Sequence, residues 1–135
     1  MVEALCGDDV TAAVALWEEA DLTRPWNDAV ADFRRALASS SSTVLGLRED
    51  GRLVGTAMVG WDGHRGWVYY LAVAKSHRGR GLGRELMTAA EKWLKAVGAP
   101  KIQFMVRAEN DAVVAFYDHL GYVPQYCVVL GRRLH

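Results

Sequence analysis

Cysteine is scarce in this sequence: only Cys6 and Cys127 occur, near opposite ends and without CxxC spacing. A disulfide scaffold and a cysteine-rich zinc site are thereby excluded, and two buried free thiols are the expectation. No metal ligand set is expected. No run of about 18 apolar residues is present, so no helix is expected to span a membrane. The N-terminus lacks a basic region followed by an apolar run, which argues against a signal peptide and makes the cytoplasm the expected compartment. Net charge is missing as well, because sixteen Lys and Arg balance sixteen Asp and Glu. No overall field therefore draws the chain to nucleic acid or to an anionic membrane. Any basic function has to be local.

What is present suits one compact globular domain over residues 1–135. Five Trp, five Tyr and three Phe supply bulk for a single core. Val2–Cys6 reads as a short edge strand, and Asp8 or Asp9 as the cap of a helix reaching about Ala20 with Val10, Val14 and Trp17 on one stripe. Pro25 restricts Arg24 and breaks that helix, after which Asn27 or Asp28 caps a second with Val30, Phe33 and Leu37 at helical spacing. The period then changes. Thr43–Arg48, Arg52–Trp61 and Trp67–Val73 are strand-like and separated by the turns Glu49-Asp-Gly51 and Asp62-Gly-His-Arg-Gly66, which predicts an antiparallel meander.

Helical period returns at Leu82, with Leu86, Ala89, Ala90, Trp93, Leu94 and Val97 on a wide apolar face that stops at Gly98 and Pro100. Lys101–Arg107 reads as a strand, Asp111–Leu120 as a helix ended by Gly121, and Tyr122–Leu134 as a final strand or hairpin. The fold class is α/β (α+β), with a mixed central sheet and about four flanking helices. Its parallel pair would be Trp67–Val73 and Lys101–Arg107, joined by the long helix.

The segment that carries chemistry is Leu71-Ala-Val-Ala-Lys-Ser-His-Arg-Gly-Arg-Gly-Leu-Gly-Arg84. A strand runs into three glycines at alternate positions, and an amphipathic helix follows at once. Glycine lets backbone N–H groups converge on a ligand without Cβ interference, and the helix N-terminus adds partial positive charge. Lys75, His77, Arg78, Arg80 and Arg84 gather cationic groups in one stretch of a neutral chain. This arrangement points to a polyanion with a compact phosphate group; the plainer alternative is a helix start with a solvated basic flank. GxxxxGK[ST] is absent, and Arg84 stands where GxGxxG requires its third glycine, so the common nucleotide loops do not fit.

A second segment, Arg107-Ala-Glu-Asn-Asp-Ala-Val-Val-Ala-Phe-Tyr-Asp-His-Leu-Gly-Tyr122, puts Val113, Phe116 and Leu120 on a buried stripe. Tyr117 lies about 100° round from Phe116, at the stripe's edge. A phenol there can face a cleft and donate a proton, or it can be an ordinary boundary tyrosine.

Taken together, Arg78-x-x-Gly81-x-Gly83 and the later Asn110…Ala115-Phe-Tyr117-x-x-x-Gly121-Tyr122 resemble the GNAT N-acetyltransferase superfamily over most of the chain. Asp21-Leu-x-Arg-Pro-Trp-Asn-Asp28 and Asp62-Gly-His-Arg-Gly66 further resemble a small bacterial YpeA-like subgroup. The resemblance implies an acetyl-CoA-dependent transferase acting on a primary amine, either a small molecule or a protein amine, in a monomer or homodimer. It implies that main-chain groups of Leu71, Ala72 and Val73 pair with the pantetheine arm as an added strand would. The pyrophosphate would sit on Arg78, Gly79, Arg80, Gly81, Leu82 and Gly83, with Arg84 adjacent. Asn110 would lie near the cofactor arm, and Tyr117 would protonate the departing thiolate.

Direct attack needs a neutral amine, and a lysine-like amine with pKa about 10.4 is less than about 0.1% neutral at pH 7. Protein N-terminal acetylases of the RimI kind resemble this chain around Val106–Asn110 but carry Glu at the position of Met105, where a thioether cannot accept a proton. Tyr69, Tyr70, Glu109 or a water remain candidates for that task. The acceptor is expected near Trp26, Asn27 and Asp28, with Tyr69 and Tyr70 at the cleft. An acyl-CoA-binding sensor without catalysis is the competing function.

Overall fold

All residues, 1–135, are described in a computed structural model. They form two compact units, residues 1–105 and 106–135. The first holds a five-stranded sheet in the order β1 (Val2–Ala4), β2 (Ser42–Glu49), β3 (Arg52–Trp61), β4 (Gly66–Val73), β5 (Ile102–Gln103). The first four strands pair antiparallel, and β5 joins β4 in parallel. The β2–β3 turn has φ of 52° at Asp50 and 77° at Gly51, the left-handed pair that matches strand twist in a two-residue hairpin.

Three helices belong to this unit: α1 (Val10–Glu19), α2 (Ala29–Ala38) and α3 (Leu82–Val97). The Asp28 carboxylate accepts the Ala31 N–H at 3.0 Å and caps α2, and Gly98, at φ 89°, ends α3. Neighbouring residues of β3 face opposite sides of the sheet. Thr56 reaches Trp17 of α1, whereas Gly55 lies under Leu86 of α3, so α1 and α3 cover opposite faces. Trp17, Phe33, Val44, Val54, Val59, Leu86 and Met87 are fully buried between these layers.

Glycine permits the close approach of α3. A Cβ built on Gly55 would lie 2.8 Å from Leu86, and one on Gly66 would lie 2.5 Å from Leu94. Both leucines come from one face of α3, two turns apart, and each presses where the sheet carries no side chain.

Asp9 sits in a short 3-10 turn before α1 rather than capping α1 through its side chain. Its carboxylate accepts from Arg48 at 2.6 Å and from the Cys6 N–H at 2.9 Å. Those bonds, led by Arg48, hold its pKa below the usual carboxylate value. A depressed folded pKa contributes stability above the unfolded pKa, about 3.9, and that contribution is lost as pH falls further. Asp9→Asn is expected to flatten the fall of the thermal midpoint below about pH 4, measured against the parent chain.

Several sequence expectations are corrected here. The strand expected over Lys101–Arg107 is only Ile102–Gln103, because a strand persists only while a neighbour shares its ladder. Gly66 pairs with Ile102 and Trp67 with Gln103, and β4 has no β5 partner from Val68 onward. The expected strand or hairpin over Tyr122–Leu134 does not form. Pro124 has no N–H to give, Tyr126 turns to φ 55°, and residues 106–135 contain no strand to pair with. Both cysteines are free thiols, but exposed rather than buried. In residues 106–135 the single helix is α4 (Asp111–His119), and Val113, Phe116 and Leu120 are half-buried rather than core.

Candidate functional site

The open edge of β4 is the first element of the site. From Val68 to Val73 this strand is paired on the β3 side but has lost β5. The Val73 carbonyl accepts the Arg78 Nε–H at 3.3 Å, so the guanidinium folds back over the strand's end.

The strand is also bent. Thr56 pairs with Ala72 and Met58 with Tyr69, so Tyr70 and Leu71 together oppose Ala57, a β-bulge. Tyr70 takes φ 51° there. A left-handed conformation costs an L-residue roughly 1–2 kcal/mol, and a bulky ring is seldom found in it. Three contacts hold it. Its ring stacks on Trp17 at 3.8 Å and 11°, its carbonyl accepts the Thr56 hydroxyl at 2.9 Å, and its own hydroxyl donates to Asp32 at 2.7 Å. Asp32 is in turn held by Arg35 at 2.7 Å.

Beyond β4, the chain turns through Lys75–His77 and enters the glycine loop. Gly79 and Gly81 both have φ 79°, and Gly81 is the residue before α3. No side chain caps α3, so its first N–H groups, on Leu82, Gly83 and Arg84, face outward from the helix start. The basic cluster is less uniform than its sequence suggests. Glu49, from the end of β2, takes Arg80 at 3.0 Å and lies 3.5 Å from His77 Nε2. Lys75 and Arg84 make no ion pair.

Other expected residues have separate surroundings. Tyr69 is 45% exposed, and burial, with the nearby Asp62 charge, raises its pKa. Burial and the bond to Asp32 push the Tyr70 phenol well above its ordinary value. Both phenols are therefore protonated at neutral pH. Trp26 is 55% exposed, and Asp28, two positions on, caps α2. Asp62 accepts from the His64 and Arg65 N–H groups and from the Trp67 indole, an ordinary hydrogen-bonded turn.

In residues 106–135, Asn110 caps α4 by accepting the Val113 N–H at 3.3 Å. Tyr117 is half-buried, edge-on to Phe116 at 5.1 Å and to Tyr122 at 6.0 Å. Desolvation among these rings pushes its phenol up to about 12.

Sequence reasoning passed over Asp32, Thr56 and Glu49. Thr56 left a signal, as the one hydroxyl in the buried run Val54–Ala57. Asp32 and Glu49 left none, since each acts on a residue more than thirty positions away.

A strand that parts from its parallel neighbour beside a glycine-rich helix start is the arrangement that the GNAT resemblance implies. The family model for the acetyltransferase (GNAT) family matches residues 10–122. The chain belongs to this family, the acetyl-CoA-dependent N-acetyltransferases. An acetyltransferase of Pectobacterium atrosepticum is 46% identical over 127 residues, covering 94% of this chain and 90% of that one. One from Sodalis glossinidius is 46% identical over 128 residues, with the same coverage. Among solved structures, a putative acetyltransferase from Agrobacterium tumefaciens superposes with a TM-score of 0.83 at 22% identity, covering 98% of this chain and 99% of its own. The aminoglycoside N-acetyltransferase AAC(6')-Iy, solved with CoA, has a TM-score of 0.85 at 17% identity, covering 100% and 95%.

Proposed function

We propose that the chain moves the acetyl group of acetyl-CoA to a primary amine by direct attack in a ternary complex. The observation that carries this reading is the unpartnered edge of β4 beside the two left-handed glycines. Leu71, Ala72 and Val73 offer the pantetheine amides a strand edge, with Arg78 swinging off the Val73 carbonyl to admit them. The turn from Arg78 to Gly83 and the open N–H groups of α3 receive the pyrophosphate, with Arg84 adding charge. Asn110 borders the cofactor arm.

In the chemical step the amine nitrogen bonds to the acetyl carbon, the carbon–sulfur bond breaks, and the sulfur takes a proton from Tyr117. The amine's own proton does not go to Tyr69 or Tyr70, which are already protonated. It leaves through Glu109 or a water. Trp26 supplies an exposed aromatic face for a cationic acceptor, with Asn27 and Asp28 beside it. The whole of residues 1–135 serves this one activity as a single acetyltransferase domain.

An amine library assayed for release of CoA thiol tests the reading. One or more primary amines should release thiol and gain an acetyl group by mass. Initial rates against both substrates should give intersecting lines. Parallel lines would replace direct attack with an acetylated enzyme, and thiol release by no amine at all would remove the transferase step.

A further inference from the structure

The glycine turn between β4 and α3 is held by side chains rather than by packing. A Cβ built on Gly79 or on Gly81 meets no atom within 4 Å, although both residues are left-handed. Glycine loses more conformational freedom on ordering than any other residue, so an unpacked turn with two of them needs tethers. Glu49, the last residue of β2, supplies one. Both of its carboxylate oxygens accept from Arg80 Nη2, at 3.0 and 3.1 Å, and Oε1 also lies 3.5 Å from His77 Nε2. With that nitrogen turned to a carboxylate, it carries the ring hydrogen, and Nδ1 meets the Ser76 hydroxyl at 2.7 Å.

One carboxylate thus spans His77 and Arg80, and Arg78 and Gly79 lie between its two grips. Glu49 itself is fixed by its pairing with Arg52 and by the tight hairpin that follows. Its charge has the wrong sign for a turn that receives a pyrophosphate, and exposed ion pairs add little to stability. Neither role accounts for a carboxylate here, whereas holding the shape of the turn does. The tie from Arg78 to the Val73 carbonyl is given up when the pantetheine arm enters, so the grips of Glu49 are the ones that persist. We propose that Glu49 is a positioning residue that bridges His77 and Arg80 and keeps the Gly79–Gly81 main chain in the form that receives the pyrophosphate. This deepens the reading of Arg78–Gly83 as the phosphate site and rests on it.

Calorimetric titration with CoA and with 3'-phospho-ADP, the fragment that keeps the pyrophosphate and lacks the pantetheine arm, tests this. Glu49→Ala is expected to weaken both about fivefold, since the turn must then be ordered by the ligand. Glu49→Gln keeps the reach and an accepting oxygen without the charge, and should stay within about twofold of the parent chain. Glu49→Asp keeps the charge but falls short by a methylene, and should match Glu49→Ala. It carries the test should Glu49→Ala not fold. Were Glu49 only a charge opposing the ligand, Glu49→Ala and Glu49→Gln would both tighten binding, and the positioning role would fall. It falls equally if the folded variants lower the thermal midpoint with both affinities unchanged, or if CoA weakens and the fragment does not. Failure of the parent chain to bind either ligand overturns the phosphate reading of the turn instead.

Discussion

Replacing Gly81 with aspartate is expected to leave a folded protein that no longer binds acetyl-CoA. Gly81 stands at φ 79° just before α3, and a Cβ built there meets no atom within 4 Å. Space is therefore no obstacle, and the strain of a left-handed side chain is roughly 1–2 kcal/mol, with Asp and Asn the least disfavoured. Binding should suffer far more. The new carboxylate would lie over the first N–H groups of α3, satisfy one of them, and repel the pyrophosphate. Like charges brought together at an interface cost several kcal/mol, so an affinity loss on the order of a hundredfold or more is expected. Gly81→Asn, with nearly the same shape and backbone preference but no charge, should have a similar thermal midpoint and a much smaller loss. Calorimetry and thermal denaturation on both variants measure this. Unchanged affinity in folded Gly81→Asp would mean that the phosphates bind elsewhere.

Tyr117→Phe should reduce turnover by roughly 10²–10⁴-fold, the usual contribution of a positioned general acid. The ring contacts with Phe116 and Tyr122 survive that change, so thermal midpoint and acetyl-CoA affinity should shift little. With its phenol pushed up to about 12 by burial, Tyr117 carries its proton throughout the neutral range. The acid form is depleted only as pH rises towards that value. The pH–rate profile of the parent chain should accordingly show no limb from Tyr117 below about pH 11. Loss of stability with turnover per folded molecule intact would make Tyr117 a packing residue. Full activity in a stable Tyr117→Phe would pass proton donation to water.

Where the determinants are local, the sequence was a sound guide. Asp50-Gly51 can take two left-handed residues in succession, Asp28 can cap, and Gly98 can end a helix, each for reasons contained within a few residues. The motif Arg78–Arg84 likewise announced the helix start at Leu82. Legibility fails where a distant partner decides. Ile102, Phe104 and Val106 alternate like any strand, yet β5 shares a ladder with β4 only at Gly66–Ile102 and Trp67–Gln103. The bulge was hidden for a second reason: the residue in the left-handed position is Tyr70, and a tyrosine inside a β-branched and aromatic run reads as plain strand. Its conformation depends on Trp17, Asp32 and Thr56, none of them near it in sequence. Glu49 was read as part of a turn, and its hold on Arg80 needed the fold to become visible.

The two leucines of α3 pressed onto Gly55 and Gly66 have a consequence for the loop that precedes the helix. Leu86 and Leu94 sit like two pegs in two notches, one on β3 and one on β4. Sliding the helix by one residue would drive both against backbone that has a side chain on either side. The helix is therefore indexed to the sheet, and its first turn stands at a set distance from the open edge of β4. A molecule long enough to touch both meets a gauge whose two marks were fixed during folding, so little further ordering of this framework is required when it binds.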